Sequence, residues 1–87
     1  MALHKLQLLT LEGVIYDQEV AHIYLPAEDG FVGILAHHAP YVTSSPGGIL
    51  EVREKDGTQK RFRLGAGFFE VAKNRASFFA PSIEKLT

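Results

Sequence analysis

Leu50-Glu51-Val52-Arg53-Glu54-Lys55-Asp56-Gly57-Thr58-Gln59-Lys60-Arg61-Phe62-Arg63-Leu64 sets the period of the whole chain. Leu50, Val52, Phe62 and Leu64 alternate with Glu51, Arg53, Arg61 and Arg63. Successive side chains of an extended strand point to opposite faces, so one face is buried and the other wet. Between the two runs, Lys55-Asp56-Gly57-Thr58 supplies an Asp-Gly pair that tolerates the positive φ of a tight turn, which predicts a β-hairpin. Outward positions make Arg53, Lys55, Lys60, Arg61 and Arg63 a basic strip, with Glu51 and Glu54 close enough to pair. Cross-strand pairs of this kind read as a solvated face.

The same logic extends in both directions. Phe69-Glu70-Val71 leads into the turn signal Lys73-Asn74, and Ala76-Ser77-Phe78-Phe79-Ala80 returns as a strand. Leu6-Gln7-Leu8-Leu9 runs up to Glu12-Gly13, after which Val14-Ile15-Tyr16 starts another. Val20-Ala21-His22-Ile23-Tyr24-Leu25 reads as a nearly continuous apolar strand. It is expected to halt at Pro26, which cannot donate to a ladder, leaving a loop from Pro26 to Gly30. Ser44-Ser45-Pro46-Gly47-Gly48 is a further break. Gly65-Ala66-Gly67 lacks the following helix of a dinucleotide fingerprint and is expected to let two backbones approach or to form a bulge. The tail Ser82-Ile83-Glu84-Lys85-Leu86 is the one weak helical candidate. Short strands at roughly ten-residue spacing predict an all-β domain over 1–87, a flattened antiparallel β-sandwich or barrel of about ten strands. Phe62, Leu64, Phe69, Val71 and Phe78 are its expected core.

Composition bounds the function. A net charge of −1 argues against a nucleic-acid footprint, which needs clustered positive charge. There is no cysteine, hence no disulfide, thiolate metal site or thiol nucleophile. The N-terminus lacks a signal-peptide pattern. No run approaches the roughly 20 apolar residues of a membrane helix, so membrane association is expected only through a partner.

Glu28-Asp29-Gly30-Phe31-Val32-Gly33-Ile34-Leu35-Ala36-His37-His38-Ala39-Pro40-Tyr41-Val42-Thr43 combines an acidic turn, a glycine-containing apolar strand and a His-Ala-Pro corner. It reads as a recognition loop presented by a β domain. Adjacent His37 and His38 point to opposite faces of a strand and do not chelate one ion readily, and a metal site needs three or four placed ligands. Glu28 and Asp29 are solvated neighbours without the split pKa values of an acid–base pair. Thr43, Ser44 and Ser45 sit in no nucleophile elbow, and the serines belong to turn chemistry. No enzyme signal emerges, and neither a metal nor a cofactor is expected. Two other readings are a free-standing ligand-binding β-sandwich using Tyr16, Tyr24 and Tyr41, and a metal-dependent enzyme built on His22, His37 and His38.

From about Leu6 to Ala80 the chain resembles the N-terminal β-sandwich domain of the ε subunit of F-type ATP synthase. The resemblance is carried by Glu28-Asp29-Gly30-Phe31-Val32-Gly33-Ile34-Leu35 with His38-Ala39-Pro40, then Thr43, Gly48 and Ile49-Leu50. Leu64 with Gly65, Gly67-Phe68-Phe69-Glu70-Val71 and Ala76-Ser77-Phe78-Phe79-Ala80 match a second signature. Ala36-His37 stands where the family commonly has Pro-Gly, and Pro46 lies one position early. The resemblance implies a non-catalytic central-stalk subunit that binds γ and the c-ring and couples proton translocation to ATP synthesis. It implies a c-ring contact at Glu28, Asp29, Gly30, Phe31 and Val32, and a γ contact at His38, Ala39, Pro40 and Thr43. It places the protein on the cytoplasmic face of a bacterial energy-transducing membrane, held there by the complex. Many family members continue into a C-terminal helical hairpin associated with inhibition and nucleotide binding. The chain is expected to lack that hairpin, and no nucleotide is expected.

Overall fold

The computed structural model describes residues 2–87 and folds them into nine strands. These are β1 (His4–Thr10), β2 (Gly13–Ala27), β3 (Gly30–Leu35), β4 (Tyr41–Ser45), β5 (Gly48–Glu54), β6 (Gln59–Leu64), β7 (Gly67–Ala72), β8 (Arg75–Phe79) and β9 (Ile83–Lys85). They hydrogen-bond in the order β4-β7-β8-β1-β2-β5-β6-β9, with β3 also on β2.

The fifteen-residue β2 is what turns this sheet into a sandwich. Its first half pairs with β1, from Thr10↔Gly13 to His4↔Val20. Its second half pairs with β3 and β5 instead. Register shifts fall between Leu8 and Leu9 on β1 and between Val20 and His22 on β2. Such irregularities bend a strand and raise its local twist, which lets the sheet fold over itself. The inward residues of both halves then share one core. Leu6, Leu8, Ile23, Leu25, Ile34, Leu50 and Val52 meet the expected Phe62, Leu64, Phe69, Val71 and Phe78, all buried.

The local turn signals hold. Gly57 adopts φ 91° in the hairpin joining β5 and β6, where Asp56 accepts the Thr58 N–H at 2.9 Å. That backbone hydrogen bond holds the Asp56 carboxyl below the usual range. Lys73 and Asn74, at φ 53° and 63°, make the β7–β8 turn with both residues left-handed, the geometry that matches strand twist. The Gly65–Gly67 expectation also holds as close approach: a Cβ at Gly67 would run into the Phe79 carbonyl oxygen.

Four expectations are corrected. Pro26 does not end its strand, because β2 continues to Ala27 and only Glu28-Asp29 form the turn. By Pro26 the β5 ladder has already ended at Tyr24↔Glu51, so one neighbour remains, β3, and a missing donor is tolerated. The tail is no helix: Ile83–Lys85 form β9 on the β6 edge, since an exposed ladder offers more than an isolated helical turn. Lys60 leaves the basic strip, because it lies opposite Val52 on the inward register. Finally, β1 and β8 pair in parallel, so the sheet is not wholly antiparallel.

Candidate functional site

The β2–β3 ribbon carries the acidic tip. Glu28 and Asp29 are exposed in the turn, and Gly30 opens the return strand. Alternation sends Phe31, Gly33 and Leu35 outward and Val32 and Ile34 toward the core. Phe31 is 59% exposed, and its ring stacks on Tyr24 at 5.1 Å with the planes 7° apart. Two large aromatic faces thus stand beside two carboxylates at one projecting end. Of the five residues expected at this contact, Val32 is the one that turns inward.

Two serines fasten this tip to β4, a role the sequence did not disclose. Ser44 donates its hydroxyl to Glu28 Oε2 at 2.6 Å, and buried Ser45 donates to the Pro26 carbonyl at 2.5 Å. Ser45 Oγ also accepts the Gly47 N–H at 3.1 Å, which is the turn role expected of it. Nothing in the spacing of residues 26–45 reveals that β4 returns alongside Pro26, because the contact crosses between layers.

The His-Ala-Pro corner lies at the far end of β3 and β4. His37 takes φ 63°, and its N–H donates to Asn74 Oδ1 at 2.7 Å. His38 is half-buried, its Nδ1 is 2.7 Å from the Ala39 carbonyl, and its ring sits 5.9 Å from Tyr41. Ala39 and Pro40 are exposed. Thr43 pairs with Phe69 and so shares the inward side at the sheet edge, donating its hydroxyl to the Ser44 carbonyl at 2.9 Å. Val42 and Ser44 are the residues of β4 that face solvent.

A second surface was missed altogether. The cross-strand register places Val14 beside Leu9, Leu9 beside Phe79, Phe79 beside Phe68 and Phe68 beside Ser44. Phe68 is 52% and Phe79 42% exposed, with Leu11, Ile15 and Val42 also bare. The outer face of β4-β7-β8-β1-β2 therefore carries an apolar row that ends at Ser44, the residue bound to the acidic tip. The signal was present in Phe68-Phe69 and Phe78-Phe79. Consecutive strand residues face opposite ways, so each doublet must leave one phenylalanine outside.

The remaining surface is ordinary. Arg61 lies 3.6 Å from Glu51, both a little under half exposed, the solvated cross-strand pairing expected of that strip. Arg63 lies 3.0 Å from Glu84, both more than half exposed, a partner that the reading of the strip had not named. Lys5 pairs with Asp17 at 3.0 Å and, with Gln7, holds the Asp17 carboxyl below its usual range. The three tyrosines meet three different surroundings: Tyr16 packs edge-on against Phe62 and donates to Glu54 at 2.6 Å, Tyr24 stacks on Phe31, and Tyr41 borders His38. Burial raises the Tyr16 hydroxyl pKa, and Glu54 raises it further. Among the described residues no group of three or more His, Asp or Glu is arranged to hold a metal ion. Nor does any helix there have the length and apolarity to cross a membrane.

The class these features define is a folded-over β-sandwich with an aromatic-acidic tip and an apolar outer face. The chain belongs to the ATP synthase, Delta/Epsilon chain, beta-sandwich domain family, whose model matches residues 3–86. It is 40% identical over 89 residues to the ATP synthase epsilon chain of Roseiflexus sp., covering 98% of this chain and 60% of that one. With the ATP synthase epsilon chain of Protochlamydia amoebophila it shares 33% identity over 97% of this chain and 57% of the relative. The chain thus spans about 60% of the length of these curated relatives. Among solved structures, it resembles a chain of the Euglena gracilis mitochondrial ATP synthase, OSCP/F1/c-ring in rotational state 1. That match has a TM-score of 0.91 and 25% identity, over 98% of this chain and 54% of that chain. A Tetrahymena thermophila mitochondrial ATP synthase central stalk/c-ring structure shares the fold, with a TM-score of 0.76 at 15% identity, over 91% of this chain and 63% of its match.

Proposed function

We propose that residues 1–87 form the β-sandwich domain of a central-stalk ε subunit, gripped by γ on one surface and by the c-ring on another. It carries ring rotation to the stalk and takes no catalytic part itself. The apolar row from Val14 through Leu9 and Phe79 to Phe68 carries this reading. A small water-exposed domain keeps so much contiguous apolar surface bare only where a partner covers it. Rotation is transmitted only by a stiff body held at two places, and each grip of ordinary size buries about 800 Å² per partner.

The tip meets the c-ring through Glu28, Asp29, Gly30 and Phe31, with Val32 anchoring the strand from within. Phe31 stacked on Tyr24 is an aromatic anchor of the kind that dominates interface energetics, and the two carboxylates complement basic loops. γ takes the β4 side through His38, Ala39, Pro40 and the Thr43 region, and its contact extends over Val42, Phe68 and Phe79. Ser44, bound to Glu28, links the two grips. The complex keeps the chain at the cytoplasmic face of a bacterial energy-transducing membrane. Neither nucleotide binding nor inhibition is assigned to these residues. The scattered environments of Tyr16, Tyr24 and Tyr41 weigh against a ligand module built on them.

Charge reversal tests the c-ring grip. In a reconstituted complex, Glu28→Lys with Asp29→Lys is expected to uncouple ATP hydrolysis from proton pumping while hydrolysis continues. Full coupling in that variant contradicts the assignment.

A further inference from the structure

His4 is 2% exposed, and neither of its ring nitrogens finds a hydrogen-bond partner among the described residues. No other side chain there has a buried polar atom so placed. A neutral imidazole in that position already forgoes two hydrogen bonds with water. A protonated one would be a buried charge without a counterion, which costs far more.

The charged surroundings offer no relief. On β1 itself, Lys5 lies on the opposite, outer side, as do its register partners Glu19 on β2 and Arg75 on β8. Glu54 on β5 lies opposite Val20 but is occupied by the Tyr16 hydroxyl at 2.6 Å. The groups that act on the ring are His22 on β2 and His37 and His38 in the corner, and a proton on any of them disfavours one on His4. Burial first, then these histidines, lowers the His4 pKa from its ordinary 6.5.

The residues on either side of His4 are held by one side chain and its backbone. Asn74 donates Nδ2 to the Leu3 carbonyl at 2.9 Å, and its own carbonyl accepts the Lys5 N–H at 3.2 Å. The same Asn74 accepts the His37 N–H at 2.7 Å. His37 sits at φ 63° in the corner, a left-handed conformation that a residue other than glycine holds at a cost and that its hydrogen bond to Asn74 helps to fix.

We propose that His4 is an acid-sensitive latch. A proton taken up at its ring drives the imidazole toward water, pulls Leu3 and Lys5 off Asn74, and so frees the His37–Pro40 corner from the β7–β8 turn. The direction follows from linkage. Folding lowers the His4 pKa, so the closed state is undisturbed above 6.5 and is lost as pH falls from there through the lower folded value. The effect of a freed corner on γ docking rests on the central-stalk reading, whereas the latch itself is a property of the free chain and is tested there.

Amide hydrogen exchange on the 87-residue chain, followed by NMR from about pH 7.5 to about pH 5, is the test. After correction for intrinsic rates, protection at the His37 and Lys5 amides should fall about tenfold for each unit by which folding lowers the His4 pKa. Core amides such as Val52 and Phe78 should stay protected. His4→Leu and, separately, His4→Gln should abolish the pH dependence at His37. The ring protons of His4 in the unaltered chain provide a reading that needs no variant: they should titrate below 6.5, in step with the loss of protection. Protection at His37 that is flat with pH overturns the latch. So does equal loss in a folded His4 variant, or a ring that titrates at 6.5 without disturbing His37.

Discussion

At the scale of single residues, two phenylalanines separate surface from core. Phe31 is mostly exposed and is held by one stacking contact, worth about 1 kcal/mol. Phe31→Ala is therefore expected to lower the melting temperature by about 4–8 °C at most while greatly weakening assembly with the c-ring. Phe62 is 1% exposed and touched by Tyr16, so Phe62→Ala should cost about 3–5 kcal/mol. That is of the order of the whole stability of a domain this small, and thermal denaturation should find the variant largely unfolded. A Phe31→Ala variant that melts like Phe62→Ala would place Phe31 in the core. The core phenylalanines were legible because alternation with Arg61 and Arg63 fixes which way Phe62 points. Phe69 and Phe78 were rightly placed in the core, but that their neighbours Phe68 and Phe79 lie side by side on the outer face follows only from the register of β7 and β8.

At the scale of elements, legibility tracked how local the deciding chemistry is. Asp56-Gly57 and Lys73-Asn74 announced their hairpins because Gly57 and Asn74 are residue types that accept the positive φ they adopt. Pro26 misled because a proline's tolerance depends on which neighbours its strand still pairs with, and the pairing with β5 ends two residues short of it. The tail misled for a related reason. Whether Ile83–Lys85 extend depends on a free β6 edge, to which no residue near position 83 refers. The parallel β1–β8 pair joins segments some 70 residues apart in the sequence and is likewise invisible to local patterns. The β7–β8 turn gives an element-scale prediction. Asn74→Gly preserves access to positive φ but deletes the hydrogen bonds to His37 and Leu3. It should lower stability by about 1–2 kcal/mol in urea denaturation with an unchanged slope. A neutral or stabilising effect would mean that the turn conformation, and not the clasp, is what Asn74 supplies.

At the scale of the whole molecule, the candidate site is not a pocket but two surfaces on one stiff body. The acidic tip was legible from residues 28–31, since a solvated Glu-Asp turn next to an aromatic announces itself. The apolar outer face was not, since it is assembled from β1, β2, β7 and β8 and exists only through their register. The central claim is that this face and the β4 side hold γ. It is tested most directly by co-expressing the chain with a γ subunit from the same genome and resolving the product by size-exclusion chromatography. The unaltered chain should co-elute with γ at one-to-one stoichiometry. Phe68→Asp with Phe79→Asp, shown by circular dichroism to be folded, should separate from γ cleanly. Separation of the folded, unaltered chain from γ at micromolar concentration would contradict the account, as would undiminished co-elution of the double variant.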